Sequence, residues 1–391
     1  MVNATLWSTI HIGLNVVAVL AVNYYIQKPY MDEYFHINQT LAFASHGLKA
    51  SWDPKITTPP GLYFIGLLCA AFFDPELRAL RAVNSMATTL LYLQDTFPAY
   101  LIHGFPLYFF YTTLYYTDVW SMVLVLLGIA ASFNHPFVAP GVLGLSLFFR
   151  QTNIIWACFA AGLYLVNNRT VVQCFKDWRA IISRWKMVIG YVGLVLAFCY
   201  FVYENGGVVL GDKSNHRSCF HAAQLLYYIL FASFFSFPLS IKWLVRGNLF
   251  KKSQLVFAPI ELGVIFLIIK YCTIVHPFVL ADNRHYTFYI WRRLITPCQG
   301  YLMLPVYWVG YRWLRSTMDL RLARTWIYIL AVCIVLIPTP LMEPRYYALP
   351  YLVWRLIIYN RESTNLENLW YALINIGTVS ALCLTDTHFM W

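Results

Sequence analysis

The sequence contains few charged residues. Asp, Glu, Lys and Arg make up only 12% of its 391 residues, whereas an ordinary soluble domain carries about 25%. Hydrophobic residues account for 60% of the chain, and the mean hydropathy is +0.58. This composition excludes a conventional soluble domain and a disordered chain, and it predicts that lipid is the main solvent of the protein.

Motifs for disulfides, metals and nucleotides are also missing. None of the nine cysteines belongs to a CxxC pair, and most lie in apolar runs, so we interpret them as small buried hydrophobic residues. The sequence has no HExxH, no D-x-D, no Walker loop and no dinucleotide-binding fingerprint. We therefore expect no metal site, no cofactor and no soluble nucleotide donor.

Apolar segments recur along the whole chain. The first, residues 5–27, is long enough to cross a bilayer and no small-residue cleavage site follows it, so we expect a retained helix. With later segments such as 99–116 and 219–244, the pattern predicts an all-α polytopic membrane protein whose residues 1–391 form one membrane domain. Residues 59–73 are short and open with Pro-Pro-Gly, which predicts a juxtamembrane or re-entrant helix.

Three loops are plainly basic: residues 168–186, 246–252 and 312–324. Because Lys and Arg accumulate in cytoplasmic loops, we assign these three loops to the cytoplasmic side. Alternation of the spans then places the other polar motifs together on the opposite face, and the loop at residues 28–58 joins them only if segment 59–73 does not cross. The formal net charge of +11 therefore reflects orientation in the membrane, and we expect no nucleic-acid partner.

Two adjacent carboxylates lie in the first polar loop, in the string P-Y-M-D-E-Y-F-H-I. If this string is helical, Asp32 and His36 share one face at i, i+4 spacing. Asp32 or Glu33, beside apolar groups at a membrane surface, is a candidate general base; an amphipathic interfacial helix with solvated acids is the alternative. The next string, W-D-P-K-I-T-T-P-P-G-L-Y, holds Asp53 and Lys55 in a proline-rich stretch, for which a structural role is favoured.

Three later motifs combine Lys or Arg with His or aromatic residues: G-D-K-S-N-H (211–216), A-D-N-R-H-Y-T-F-Y-I-W (281–291) and E-P-R-Y-Y-A-L-P-Y (343–351). These side chains suit an anionic headgroup such as phosphate, because Arg makes bidentate contacts. Anchoring of helix ends at lipid headgroups is the alternative, and it is favoured for Arg292 and Arg293.

Two shorter motifs, Y-Y-T-D (115–118) and R-Q-T-N (150–153), add one acid and one base at helix ends on the same side. Asp118 is either a substrate-binding residue or an ordinary N-cap of the next helix. Arg150 is either a substrate-binding residue or an interfacial anchor.

Six of these strings, in this order, resemble eukaryotic dolichyl-phosphate-glucose-dependent α-1,2-glucosyltransferases, and the resemblance runs from about residue 29 to residue 351. The resemblance implies a GT-C-type multi-span helical bundle in the endoplasmic reticulum membrane, with residues 28–81 as a lumenal catalytic loop. It also implies two lipid-linked partners besides the membrane lipids. The donor would be dolichyl phosphate glucose, and the acceptor a dolichyl-diphosphate oligosaccharide that already carries two glucoses.

The resemblance further implies an inverting transfer, because the donor sugar is β-linked and the product is α-linked. One carboxylate then deprotonates the acceptor hydroxyl; we assign this base to Asp32, with Glu33 as its substitute or a sugar-positioning acid. Cations would stabilise the departing phosphate, and for this role we expect Arg284, His285, Arg345, Lys213 and His216. The other substrate-binding candidates are polar residues of the same motifs: His36, Asp53, Lys55, Asp118, Arg150, Asp282, Asn283 and Glu343.

A transporter of an anionic or lipid-linked solute is the competing interpretation. Transporters place ionisable groups near the bilayer midplane, and here Glu261 and Lys270 are the main residues of that kind. A catalytically silent membrane scaffold is a third possibility. The clustering of the polar motifs at one interface favours the enzyme.

Overall fold

The computed structural model describes residues 3–73, 76–213, 217–250 and 255–391. Throughout these ranges the regular backbone is helical, and the bridges Thr170–Leu322 and His285–Met390 are isolated. The first twelve helices are α1 (Ala4–Tyr25), α2 (Glu33–His46), α3 (Gly61–Ala70), α4 (Leu77–Leu91), α5 (Ala99–Gly104), α6 (Pro106–Tyr111), α7 (Thr117–Asn134), α8 (Ala139–Leu147), α9 (Asn153–Val166), α10 (Val171–Lys176), α11 (Trp178–Ile182) and α12 (Trp185–Asn205).

The remaining α-helices given for the described ranges are α13 (Ala223–Phe235), α14 (Phe237–Val245), α15 (Ala258–Cys272), α16 (Pro277–Ala281), α17 (Tyr286–Ile290), α18 (Leu304–Ser316), α19 (Ala323–Leu336), α20 (Pro344–Val353) and α21 (Asn365–Leu384). Three short 3₁₀ segments (Gly47–Lys49, Asn248–Phe250, Pro297–Met303) and two π-helical segments (Trp291–Ile295, Trp354–Ile358) accompany them.

Several helices have the length and composition of membrane spans. Among the described residues, α1, α7 and Val188–Asn205 of α12 are long and apolar enough to cross a bilayer. The helices α13 and α14 pass the same test together but are bent by 87° at their junction. The prediction of an all-α polytopic membrane protein is confirmed.

The chain divides into two compact units. The N-terminal unit comprises Asn3–His216 and Arg321–Ala331, and the C-terminal unit comprises Arg217–Leu320 and Val332–Trp391. In the N-terminal unit, α7 packs against α4, α8 and α9; in the C-terminal unit, α18 packs against α13 and α15. The single membrane domain expected from the sequence stays a prediction.

The helix α3 holds the first polar loop in place. Its ten residues span about 15 Å, half of the roughly 30 Å of a hydrocarbon core. It packs against α2 and α4 through a buried cluster that includes Ile37, Phe43, Leu62, Tyr63 and Leu80. The juxtamembrane or re-entrant position of this segment remains a prediction, which its length favours.

Candidate active site

A fully buried ion pair lies at the centre of the first polar loop. The guanidinium of Arg81 on α4 donates to both carboxylate oxygens of Glu33, from Nε to Oε1 at 2.9 Å and from Nη2 to Oε2 at 2.6 Å. Neither side chain has exposed surface. The bidentate geometry makes this the stronger kind of charged contact, and it joins residues 48 positions apart in the chain.

The same two side chains fix the backbone around them. Glu33 also accepts the N–H groups of Tyr30 (2.9 Å) and Tyr115 (2.7 Å). Arg81 also donates to the carbonyl of Ile26 (2.7 Å) at the end of α1. With four donors around its two oxygens, Glu33 has the environment of a structural residue.

Asp32 lies directly before this pair and is only partly buried. Its backbone N–H donates to the hydroxyl of Tyr116 at 3.1 Å, and its carbonyl accepts from the N–H of His36 at 3.1 Å. The preceding residue, Met31, has a left-handed φ of 53°. Such backbone strain in a non-glycine residue persists where surrounding contacts hold it, and it is concentrated at functional sites.

His36 and Tyr63 form a buried polar contact near Asp32. The Nδ1 of His36 lies 2.9 Å from the Tyr63 hydroxyl. Burial raises the pKa of that hydroxyl, and nearby Tyr115, Asp53 and Asp32 raise it further. Tyr63 therefore keeps its proton, and when it donates to Nδ1 a neutral His36 carries its own proton on Nε2. The structure thus brings Asp32, His36 and Asp53 together around one tyrosine.

Gln39 and Lys55 complete this neighbourhood. The side-chain oxygen of Gln39 accepts the N–H of Asp53 at 2.9 Å, and the carboxylate of Asp53 accepts the N–H of Lys55 at 2.9 Å. The Lys55 ammonium lies 5.4 Å from the centre of the Phe35 ring. The proline-rich string is therefore tied to α2, as a rigid structural role requires, and it also places a carboxylate close to Tyr63.

The strings that begin at Trp52 and Gly211 meet in space. The N–H of Asp212 donates to the carbonyl of Pro54 at 2.7 Å, and the N–H of Leu210 donates to that of Thr57 at 3.3 Å. Gly211 has a φ of +63°, and a Cβ there would lie 2.4 Å from the carbonyl oxygens of Pro54 and Ile56. Only glycine fits this position.

Gly211→Ala is expected to lower the free energy of unfolding by about 1–3 kcal/mol or more, because it combines a left-handed backbone with a steric overlap. Gly247→Ala is the matched control, since Gly247 has a φ of +67° and open space around its Cβ. Thermal unfolding of the detergent-purified variants measures both effects. Equal losses at the two glycines would show that the contact with residues 54–57 does not stabilise the protein.

Asp118 and Arg150 form a second ion pair in the N-terminal unit. The Nη2 of Arg150 lies 2.7 Å from Oδ1 of Asp118, and their side chains are 16% and 4% exposed. Asp118 lies in the first turn of α7, whose N-cap is Tyr116, so the N-cap interpretation is wrong. The neighbouring Gln151 donates to the carbonyl of Thr57 at 2.8 Å, which joins this motif to the same group of strings.

Of the two cationic candidates in the string 211–216, the structure describes only Lys213. The ammonium of Lys213 is exposed and donates to the carbonyl of Asn205 at the end of α12. His216 lies outside the described residues. Their assignment to the donor phosphate stays a prediction.

The two arginine candidates of the C-terminal unit are each paired with an acid two positions earlier. Arg284 donates to Asp282, with Nη2 and Oδ2 2.5 Å apart, and Arg345 donates to Glu343. Hydrogen bonds from Arg284 hold the pKa of Asp282 below its ordinary value, against the opposing effect of burial. Each pair is therefore neutral at pH 7. The convergence of Arg284 and Arg345 with Asp32 stays a prediction.

The end of the chain supports the 281–291 motif. The N–H of Met390 donates to the carbonyl of Arg284 at 2.9 Å. The N–H of Tyr286 donates to the carbonyl of Met390 at 3.1 Å. The Nδ1 of His285 lies 3.2 Å from the carbonyl oxygen of Trp391. Asn283 is exposed within this loop. Motif reasoning assigned no role to this terminal segment, although its aromatic residues were a signal for packing.

Glu261, the acid expected deepest in a span, has partners in the C-terminal unit. It accepts from the indole N–H of Trp308 at 2.8 Å and lies 2.7 Å from the guanidinium of Arg312. Lys270 lies over the ring of Tyr271 at 5.1 Å. An acid paired with a buried arginine has an ordinary structural explanation, which weakens the case for a transporter.

Sequence reasoning missed Arg81, Tyr63, Tyr116 and Gly211. Arg81 has the clearest signal, because it lies with Leu80 and Val83 on the buried side of the amphipathic helix α4. A buried arginine requires an acidic partner. The tyrosines had no such signal, since the sequence holds 29 of them.

Comparison with known proteins gives matches along most of the chain. The family model described as the DIE2/ALG10 family matches residues 26–356. A protein of Yarrowia lipolytica is 33% identical over 90% of this chain and 89% of its own length, and one of Candida albicans is 32% identical over 91% and 90%. A protein of Homo sapiens is 31% identical over 94% and 91%.

All three relatives are named Dol-P-Glc:Glc(2)Man(9)GlcNAc(2)-PP-Dol alpha-1,2-glucosyltransferase. No solved structure matches this chain significantly.

Proposed function

Because this chain belongs to the DIE2/ALG10 family, we propose that it completes a lipid-linked oligosaccharide by adding one glucose. It is a dolichyl-phosphate-glucose-dependent α-1,2-glucosyltransferase, and its acceptor is the diglucosylated dolichyl-diphosphate oligosaccharide. One observation carries this proposal. Three relatives whose names state this reaction are 31–33% identical to this chain over about nine-tenths of both sequences. The site around Asp32 supplies chemistry that fits it.

The reaction is a single inverting displacement. The acceptor hydroxyl attacks C1 of the glucose, the new C–O bond forms as the bond between C1 and the phosphate oxygen breaks, and dolichyl phosphate leaves. The hydroxyl proton passes to a carboxylate on the face opposite the leaving group, as in the base half of an inverting glycosidase. No covalent sugar–enzyme intermediate forms.

Asp32 is the base in this mechanism. Glu33 has no exposed surface and is surrounded by Arg81 and two backbone N–H groups, so no acceptor hydroxyl reaches it. Asp32 is partly exposed. Its own N–H donates to the Tyr116 hydroxyl, and the N–H of Tyr30 donates to the Glu33 carboxylate, so hydrogen bonds fix the backbone around it. We therefore infer that Glu33 acts as a positioning residue and not as a substitute base.

The polar residues around Asp32 bind sugar hydroxyls. His36 presents an Nε2–H when Tyr63 donates to its other nitrogen, and Asp53 offers a carboxylate in the same neighbourhood. Lys55 lies two residues further along. The Asp118–Arg150 pair is joined to this group through Gln151 and Thr57, and we assign it to substrate binding.

Arginines of the C-terminal unit bind the phosphate of the donor. In Arg284 and Arg345, a guanidinium already aligned by a carboxylate is preorganised for a phosphate, and preorganised cations stabilise the charge that develops on the leaving group. His285, Asp282, Asn283 and Glu343 belong to the same two motifs. Lys213 and His216 are the further cationic candidates for this site.

Arg284→Ala is expected to raise the KM for dolichyl phosphate glucose about 10- to 100-fold, the range set by one charge-assisted contact. Arg293→Ala is the control, because Arg293 is assigned to anchoring and lies over the Tyr289 ring at 5.5 Å. Steady-state transfer with varied donor measures both. A KM for Arg284→Ala within twofold of wild type would remove this residue from the phosphate site.

Transfer is expected to continue at an unchanged rate in excess chelator. Arg284 and Arg345 are assigned to stabilise the charge that develops on the departing phosphate, so activation by a divalent ion is not required. The measurement is the initial rate before and after EDTA, followed by addition of Mg²⁺ or Mn²⁺. Loss of activity in chelator with recovery on adding either ion would contradict this prediction.

The family relationship also favours a location for the enzyme. We place it in the endoplasmic reticulum membrane, with a GT-C-type arrangement of spans and with residues 28–81 on the lumenal face. The basic loops at 168–186, 246–252 and 312–324 are then cytoplasmic, as the distribution of Lys and Arg requires.

Complementation tests the proposed function in cells. Eukaryotic cells whose own family member has been deleted are expected to accumulate lipid-linked oligosaccharides with two glucoses, and expression of this chain is expected to convert them to three. Cells with empty vector are the control. An unchanged two-glucose profile, with the protein present in the membrane, would argue against the proposal.

A further inference from the structure

A polar cavity lies between the end of α1 and the start of α4, and we propose that it binds a sugar residue of the acceptor oligosaccharide next to the reacting one. This inference rests on the proposed function, because it names a part of the acceptor. The cavity is lined by Asn23, Gln27, Glu76, Leu77 and Arg78.

The size of the cavity suits a small ligand. Its volume is about 350 Å³, at the lower end of the range of small-molecule sites. Asn23 is on the last turn of α1 and Gln27 follows that helix, while Glu76 directly precedes α4. The lining thus comes from two helix ends, and Arg81 holds the end of α1 through the carbonyl of Ile26.

The chemistry of the lining favours a neutral, hydroxyl-rich ligand. Glu76 and Arg78 carry opposite charges, and Asn23 and Gln27 are uncharged, so the lining has no net charge. Sugar hydroxyls both donate and accept hydrogen bonds, and amide, carboxylate and guanidinium groups together offer both functions. Leu77 adds an apolar surface for a sugar ring.

The cavity is connected to the proposed base through one side chain. The Nη1 of Arg81 lies 3.3 Å from Oδ1 of Asn23, on the cavity wall, and the Nε and Nη2 of the same guanidinium hold Glu33, the neighbour of Asp32. One guanidinium therefore contacts both the cavity wall and the residue next to the proposed base.

The acceptor, rather than the donor, has additional sugars that could occupy the cavity. The donor brings one glucose, which must lie at Asp32 itself. The acceptor named for the relatives carries two glucoses and nine mannoses, so sugars beyond the reacting glucose need contacts away from the base. The cavity supplies such a contact.

The test uses the full chain in detergent, with Gln27→Ala/Arg78→Ala as the variant and Arg179→Ala as the control. Arg179 is exposed on α11, away from the cavity lining. The double variant is expected to raise the KM for the lipid-linked acceptor about tenfold, the effect of one or two lost hydrogen bonds, with the donor KM unchanged. A higher donor KM, or no change in either, would overturn the proposal.

Binding of the free glycan separates this proposal from the proposed function. Released Glc₂Man₉GlcNAc₂, without lipid, is expected to bind wild type and the control with equal Kd, and to bind the double variant about tenfold more weakly. Titration requires no turnover, so it remains informative if wild type transfers no glucose. If the double variant does not fold, Gln27→Ala alone is titrated. Equal Kd for wild type and a folded cavity variant would overturn the subsite.

Discussion

Replacing Asp32 by asparagine is expected to lower kcat about 10²- to 10⁴-fold, the contribution of a positioned general base. The amide keeps the shape of the side chain but accepts no proton at neutral pH. The amide retains an oxygen that accepts hydrogen bonds, and the backbone contacts from Tyr116 and to His36 are unchanged, so the fold is expected to survive. Initial rates with saturating donor and acceptor give the effect.

Asp95→Asn is the matched control for this experiment. Asp95 is exposed between α4 and α5, and the same change of one carboxylate is expected to leave kcat within twofold of wild type. An Asp32→Asn enzyme that retains a tenth or more of the wild-type kcat would move the proton acceptor to another group.

Glu33→Gln is expected to destabilise the protein by about 3–5 kcal/mol, because it leaves the Arg81 guanidinium buried without its counter-charge. Asp177→Asn is the control, since Asp177 pairs with Arg169 at 3.5 Å and is half exposed. Exposed pairs of that kind contribute at most about 1 kcal/mol. Unfolding monitored in detergent by temperature or denaturant compares the two variants.

A double variant sharpens this second test. Arg81→Met in the Glu33→Gln background removes both charges, so it is expected to recover part of the stability that either single change loses. The losses of the two single variants would add without recovery if the charges did not interact. In that case Glu33 would not be the positioning residue described above.

The difference between Asp32 and Glu33 shows what motif reasoning leaves open. The string M-D-E identifies two adjacent acids and a candidate base, and the spacing to His36 is consistent with the helix that begins at Glu33. The partner of Glu33 lies 48 residues later on another helix. The sequence therefore does not tell which of the two acids is buried against an arginine. The tertiary structure places Glu33 there and leaves Asp32 partly exposed.

The apolar segments show a similar limit. Composition and hydropathy predict the all-α membrane class. In lipid, an α-helix satisfies its backbone hydrogen bonds within its own segment. The segment 99–116 nevertheless splits into α5 and α6 at Phe105–Pro106, and 219–244 bends by 87° before Pro238. Proline removes a helical hydrogen bond, but hydropathy does not report where the chain turns.

Two long-range contacts had no local signal. The contact of Gly211 with Pro54 and Ile56 depends on a loop meeting another loop more than 150 residues earlier. The bridge between His285 and Met390 joins a motif to a segment outside the matched family region. Each was recognisable from the sequence only as a turn former or an aromatic stretch.

The central claim is that this chain transfers glucose with inversion and with Asp32 as the base. Its most direct test gives purified protein dolichyl phosphate glucose and the diglucosylated lipid-linked acceptor, with wild type beside Asp32→Asn, and determines the new linkage by NMR. The account predicts one added glucose in α-1,2 linkage from wild type and almost none from the folded variant. A β-linked product, or equal transfer by both proteins, would contradict it.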